Sequence, residues 1–258
     1  SLMRHLFTYG PVPVEEAERV PLKETEIGLV PEHWVVVRLG ELVEGSKIWI
    51  KNGFAQGSYN QSGDGVPHLR PFNISVDGDI ILNQVKYVPT PSKDSPYWLK
   101  PGDIIFNNTN SEELVGKTAY FSLDGDYVLS NHMTIIRVLD FESLDPYWLA
   151  KKMHHIWELG FFRSICRRHV NQASISLERL KQTVVSLPPL SEQQEIARIL
   201  IALDKKIQAE EARKQALDAL FKTLLHYLMT GKIRVNPSLL KTEENDNGSL
   251  VGTSGSPR

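Results

Sequence analysis

The sequence has one cysteine, Cys166, in 258 residues, so no internal disulfide can form and a reducing cytoplasmic setting is expected. It has no apolar run approaching about 18 residues and no signal-peptide pattern, which argues against a membrane span or export. It lacks charge of one sign. Its 29 Lys and Arg stand against 31 Asp and Glu, a net charge of −2, so any surface for nucleic acid has to be local. No Cys/His cluster has metal-ligand spacing; His154 and His155 are adjacent, without the one-turn separation or third ligand that zinc needs, and neither metal nor cofactor is expected. The glycines at Gly63 to Gly65 and at Gly116 lack the spacing of a phosphate loop or dinucleotide fingerprint. The one Pro-Pro pair lies in LPPLS rather than in a methyltransferase-type loop, and Gln84 stands where a metal-dependent nuclease would want a carboxylate. No catalytic residue is therefore expected.

What the sequence does have is a long helical repeat, Ser191 to Thr230. Stepping alternately by four and three from Ile196 gives Ile196, Leu200, Leu203, Ile207, Glu210, Lys214, Leu217, Phe221, Leu224 and Leu228, of which eight of ten are apolar. A spacing of 3.5 held over about five heptads is that of a coiled-coil seam. Ser191 and Gln194 fit a capping box, and Gly231 sits where a left-handed C-terminal cap belongs. At ~1.5 Å per residue the helix is about 60 Å long. Its two polar seam positions are central, so an antiparallel pairing of two copies sets Glu210 against Lys214, whereas a parallel pairing opposes Glu210 to itself. A homodimer through an antiparallel seam is the expectation.

Ahead of this helix the pattern is mixed. Leu2 to Val12 echoes Leu224 to Val235, each reading as a helix end followed by Thr, Gly and an exit. The Pro- and Glu-rich run from Pro11 to Pro31 has no period, and residues 1–23 read as an extended lead-in. From Trp34 onward come short β-branched runs: WVVVRL, IWIKN, VPHL, DGDIILN, GDIIFNNTN, KTAYFSL and HMTIIRVL. Asp145 and Pro146 mark the N-cap and first residue of a helix ending near Gly160, FFRSICRRH reads as a second short helix, Ser176 as another cap, and TVVSL as a last strand. Strands followed by helices predict an α+β fold: one mixed α/β globular domain over 24–189, the long coiled-coil helix over 190–232, and a flexible polar tail over 233–258.

Two polar features could touch a ligand. Between Lys151 and Lys181 there are seven Lys or Arg against two acids, and Arg163, Arg167 and Arg168 lie close to His169, Asn171 and Gln172, as a phosphate-tracking surface requires. The alternative is a solvated face paired with acids elsewhere. The loop Lys51 to Asn60 offers Asn52, Gln56, Tyr59 and Asn60; Asn and Gln can read adenine bidentately. NNTNS, Asn107 to Ser111, is open between a surface and an Asx-turn scaffold.

Taken in order, VPHLRPFNI, PGDIIFNNTNSEELVGKTA, SNHMTIIRV, HVNQASISLERLKQTVVSLPPLSEQQEIARIL and LLHYLMTGKIRV resemble the blocks of the DNA specificity subunit of type I restriction-modification systems, over roughly Glu24 to Val235. The resemblance implies a target recognition domain followed by a helical spacer. It implies sequence-specific binding of double-stranded DNA at a split site, in defence against foreign DNA. It also implies modification (methyltransferase) and restriction subunits as partners that carry the catalysis. By analogy Lys117, Arg163, Arg167 and Arg168 contact phosphates, and Asn52, Gln56, Tyr59, Asn60 and Arg70 lie near base edges. The family pattern has two recognition domains and two spacers, whereas this sequence has one of each and starts at Ser1, so it reads as a half-subunit or a fragment. A coiled-coil assembly or adaptor protein whose head binds protein is the competing class.

Overall fold

The computed structural model describes residues 2–55 and 58–234. Gln56 and residues 235–258, most of the expected tail, lie outside the described residues. The chain divides into two units, Ser1–Ile201 and Ala202–Arg258. The first opens with α1 (Leu2–Tyr9), a 3-10 turn at Val14–Arg19, the hairpin β1 (Leu22–Thr25) and β2 (Gly28–Pro31), then β3 (Val35–Arg38), α2 (Leu39–Glu44) and β4 (Ile48–Asn52). Next come β5 (Val66–Leu69), β6 (Lys86–Val88), β7 (Ile104–Asn107), β8 (Thr109–Asn110), β9 (Thr118–Tyr120), β10 (Val128–Leu129) and β11 (Met133–Val138). They are followed by α3 (Pro146–Glu158), α4 (Phe161–Ile165), β12 (Arg167–Arg168), β13 (Ala173–Ser174), α5 (Leu177–Lys181), β14 (Val184–Leu187) and α6 (Leu190–Met229). The fold is mixed α/β with a long C-terminal helix, as the alternation of patterns predicts.

The centre is a four-stranded antiparallel sheet in the order β4-β11-β7-β9. Side chains alternate across a strand, and this sheet is buried on both faces. Ile48 and Ile50 of β4, Ile104 and Phe106 of β7, and Ile136 and Val138 of β11 join one core with Trp34, Trp148, Met153 and Phe162. Trp49, Ile105, Ala119, Met133 and Ile135 face a second core with Leu69, Ile74, Phe121 and Leu129. Burial on two sides is why β7 and β11 read as mostly apolar runs rather than alternating ones. The second core is closed by the sheet β10-β5-β6, in which β10 runs parallel to β5.

A buried ion pair pins the central sheet. Arg137 of β11 grips Asp103, one residue before β7, through two bonds, Nε to Oδ1 at 2.6 Å and Nη2 to Oδ2 at 2.7 Å. Nη2 also donates to the Trp98 carbonyl at 2.9 Å, and Asp103 Oδ2 accepts from the Lys100 amide at 2.7 Å. Asp103 is 1% exposed, so the carboxylate has its partners in the protein rather than in water.

Three of the local stop and start signals are present as expected. Asp145 caps α3, its Oδ1 accepting from the Trp148 amide at 2.7 Å, with Pro146 as first residue. Ser176 caps α5 through the Arg179 amide. Gly231, at φ +68°, closes α6: its amide donates to Leu228 and that of Lys232 to Tyr227, the paired bonds of a Schellman cap.

Several expectations fail. Residues 1–23 are not an extended lead-in, because α1 buries Leu6 and Phe7 in the main core, a 3-10 turn follows, and β1 starts at Leu22. DGDIILN forms no strand; Asn73, fully buried, accepts from the Arg70 amide and donates to the Ile81 carbonyl, holding that segment as a loop. The helix expected over FFRSICRRH stops at Ile165, where Cys166 turns extended. Ser191 lies inside the first turn of α6 rather than capping it, since Pro189 O accepts from the Glu192 and Gln193 amides.

The seam is also shorter than its periodicity suggests. Ile196 and Leu200 are buried in the main core together with Ala197, so these two positions stabilise the first unit and are withdrawn from the seam. Gln193, fully buried, ties this end of α6 down: its Oε1 accepts from the Asp145 amide at 2.9 Å and its Nε2 donates to the Ser143 and Pro188 carbonyls. Glu192 accepts from Trp34 Nε1 at 2.9 Å and contacts His33 Nε2 at 2.6 Å. In the second unit, every residue from Lys205 to Arg234 is exposed, including Ile207, Glu210, Lys214, Leu217, Phe221, Leu224 and Leu228, while Leu203 is half-buried. Among the described residues no helix is long and apolar enough to cross a membrane.

Candidate nucleic-acid interface

The basic segment after α4 folds into a hairpin. β12 and β13 pair antiparallel, Arg167 opposite Ser174 and Arg168 opposite Ala173, and the His169 amide donates to the Gln172 carbonyl at 2.7 Å to close the turn. Val170, at the tip, is 99% exposed. β13 then pairs with β8, bringing Ser174 against Thr109 and Ala173 against Asn110, so the hairpin is docked beside the NNTNS segment.

Extended backbone sends neighbouring side chains to opposite faces, and this separates the arginines. Arg168 turns to Glu112, Nε to Oε2 at 3.0 Å, and Arg163 lies 3.9 Å from Glu113. Arg163 and Arg168 thus each face an acid across an exposed contact. Arg167 has no carboxylate partner among the described residues. It lines an open cleft of about 350 Å³ together with Asn52, Asn108, Asn131, His169 and Arg179. Thr109, Ser174, Ile175 and Ser176 complete the wall. His169 Nε2 lies 3.2 Å from Ser174 Oγ, and an Arg179 guanidinium nitrogen donates to the Ile165 carbonyl, which leaves its other donors for the cleft.

The floor of the cleft is a network of amides. Asn108 Nδ2 lies 3.0 Å from Thr134 Oγ1, 3.2 Å from Asn52 Oδ1 and 3.4 Å from the Asn131 carbonyl. Thr134 Oγ1 donates to Asn52 Oδ1 at 3.0 Å, and Thr109 Oγ1 donates to Asn108 Oδ1 at 2.9 Å. Asn52 can sit here because Gly53 follows it. The Gly53 amide donates to the Met133 carbonyl at 2.9 Å, and a Cβ on Gly53 would lie 2.2 Å from the Leu129 carbonyl oxygen and 2.3 Å from that of Ser130.

Of the other expected base-edge residues, the described ones, Tyr59, Asn60 and Arg70, fall outside the cleft. Arg70 stacks on Phe72 at 4.2 Å and faces the Tyr59 ring at 5.7 Å, with Lys86 over the same ring at 5.4 Å. Tyr59 and Phe72 are exposed, so this cation–aromatic cluster could stack on an unpaired base or face a phosphate. Beneath it His68 is buried, and burial pushes its pKa below the ordinary histidine value. Asn60 is not free to read a base: its Nδ2 donates to the Asp64 carbonyl at 2.8 Å and its Oδ1 accepts from Ser62 and the Asp64 amide, making it the scaffold of its own turn.

Lys117 is withdrawn as a phosphate contact. It is 4% exposed, its ammonium donates to the Ile74 carbonyl, and burial lowers its pKa. Of the seven basic residues counted from Lys151 to Lys181, Lys151 and Lys152 are buried as well; burial pushes Lys152 down to about 8, and its ammonium lies 5.0 Å above the Phe7 ring. The sequence reading missed Asn131, Ser174, Ser176 and Arg179 as cleft residues. Ser176 was visible only as a cap, and Asn131 sits in a turn with no motif around it.

The model for the type I restriction modification DNA specificity domain matches residues 31–219. Two specificity subunits of type I restriction enzymes from Methanocaldococcus jannaschii are similar. The MjaX subunit is 32% identical over 223 residues, covering 86% of this chain and 51% of that protein. The MjaVIII subunit is 28% identical over 243 residues, covering 91% and 53%. The chain thus spans about half the length of these relatives. Among solved structures, one from work on complex assembly and conformational transition of the type I R-M system superposes with a TM-score of 0.54 at 24% identity, covering 81% of this chain and 47% of that one. The HsdS subunit from Thermoanaerobacter tengcongensis superposes with a TM-score of 0.50 at 23% identity, covering 82% and 48%.

Proposed function

The chain belongs to the type I restriction modification DNA specificity family, and from that premise we propose that its first unit is a target recognition domain that binds double-stranded DNA by sequence and has no catalytic role of its own. The observation that supports this most directly is the cleft, where Arg167 stands without an acid beside a row of amides. Unpaired guanidinium donors hold phosphates, and fixed amides read base edges. In this reading the modification and restriction subunits of a type I complex, working in the cytoplasm, take their address from this chain.

The reading is tested by binding to duplex DNA across a salt series. Arg167→Ala should weaken binding to all sequences and reduce the slope of log affinity against log salt by about one, whereas Arg168→Ala, whose partner is Glu112, should change the slope less. Equal slopes for the wild type and Arg167→Ala remove the cleft from the DNA surface.

We further propose that two copies pair antiparallel through the second unit, with Leu203, Ile207, Leu217, Phe221, Leu224 and Leu228 as seam and the central Glu210 and Lys214 as the orientation device. Within one chain Glu210 lies 3.8 Å from Arg213 across an exposed pair, a contact weak enough to exchange for an interchain one. A symmetric pair would present two identical recognition domains and read an inverted repeat. Sedimentation should give a dimer for the wild type and a monomer for Phe221→Glu, because a charge in an apolar seam has no partner there; a wild-type monomer at micromolar concentration ends this proposal.

A further inference from the structure

The amide network fixes which end of Asn52 is available, and this has a consequence for the base it can recognise. A backbone carbonyl can only accept, so the Asn108 atom 3.4 Å from the Asn131 carbonyl is its nitrogen, and the Asn108 oxygen is the atom receiving the Thr109 hydroxyl. The same nitrogen lies 3.2 Å from Asn52, so the Asn52 atom facing it is the oxygen. That oxygen also takes the Thr134 hydroxyl at 3.0 Å, and Thr134 Oγ1 in turn accepts from Asn108 at 3.0 Å. Asn52 Oδ1 thus faces two inward donors, the Thr134 hydroxyl and the Asn108 amide nitrogen, whose two hydrogens are shared among Asn52, Thr134 and the Asn131 carbonyl. Its Nδ2 has no partner among the described residues, and the side chain is exposed at the cleft wall.

The end of Asn52 turned toward the cleft is therefore its donor. The bidentate reading of adenine, which the sequence suggests for a surface asparagine, needs both ends of the amide, one to accept from N6 and one to donate to N7. Arg179, the other guanidinium in the cleft wall besides the phosphate-facing Arg167, also donates only, and among the described residues no carboxylate lines the cleft. Guanine is the base that presents two acceptors, N7 and O6, in the major groove, while cytosine presents a donor and thymine one acceptor beside a methyl group. We propose that Asn52, held by Asn108 and Thr134, reads a guanine edge within the target site.

The inference rests on the DNA-recognition reading, and one experiment separates the two. The 258-residue chain is used to select binding sites from a pool of random duplexes, alongside Asn52→Asp and Asn52→Ala. Asn52→Asp is the diagnostic variant, since it keeps an oxygen for Asn108 and Thr134 and replaces the free donor by an acceptor. The expected result is one position at which the wild type selects guanine and Asn52→Asp selects cytosine, with preferences on the order of ten-fold. At that position 7-deazaguanine should weaken the wild type by on the order of ten-fold and leave Asn52→Ala unaffected. Identical selected sites for all three proteins would overturn the inference while leaving the chain a sequence reader. So would a position governed by Asn52 that is adenine and depends on the adenine amino group. If the wild type enriches no sequence, the recognition reading falls and this inference falls with it.

Discussion

Asp103→Ala should cost about 3–5 kcal/mol of folding stability, because it leaves the Arg137 guanidinium half-enclosed without its carboxylate. The loss is not that of one contact. Asp103 meets Arg137 with both oxygens and also fixes the Lys100 amide, while Arg137 carries the Trp98 carbonyl on its other side. The pair thus connects the 98–103 loop to β11, and an orphaned cation beside the second core is the most unfavourable state it can leave. Replacing both residues at once, as Asp103→Leu with Arg137→Met, should recover most of the loss, since burying two apolar groups avoids the desolvation that the ion pair had to offset. Urea unfolding of the single and double variants measures this directly. A single-variant cost under about 1 kcal/mol would mean the pair contributes no more than a surface bridge.

The second large effect is expected at Gly53. With its Cβ 2.2 Å and 2.3 Å from two backbone oxygens, alanine cannot be accommodated by a side-chain rotation; the end of β4 has to separate from the turn that joins β10 to β11. We expect Gly53→Ala to destabilise by about 3 kcal/mol, the upper part of the range for overpacking, because the obstacle is main chain. The functional loss should exceed what the remaining folded fraction explains. Asn52 precedes Gly53 and Asn131 lies in the opposing turn, so the displacement falls on the two sides of the amide network. Binding measured at a temperature where the variant is fully folded distinguishes the two effects; normal affinity there would show that the cleft tolerates the shift.

Legibility from sequence followed how local the physics is. The caps at Asp145, Ser176 and Gly231 were readable because each depends on one residue and the backbone within a turn of it. Strands β4, β7 and β11 were readable from β-branched content. The first 23 residues were not: α1 has eight residues, and the hairpin that follows carries no alternation, so its burial against the main core decides its structure. In the candidate site, Asn52 and Arg167 could be named because their residue types suit DNA. Their meeting could not, since it is set by the pairing of β8 with β13 across more than 60 positions of sequence. Strands of two residues have no period to read. Lys117 misled for the opposite reason, as lysine is seldom enclosed, and only the fold reveals the Ile74 carbonyl waiting for its ammonium.

The hairpin beside the cleft has one more consequence. β12 is the outer strand of its sheet, and both of its residues are arginines. An open strand edge invites another strand to add to it, and unbroken addition is the route to aggregation. The Arg167 charge on that edge disfavours the addition of a second copy of the same hairpin, while Arg168 is held by Glu112. The residue proposed to grip DNA is thus also one whose charge disfavours strand addition at an open edge.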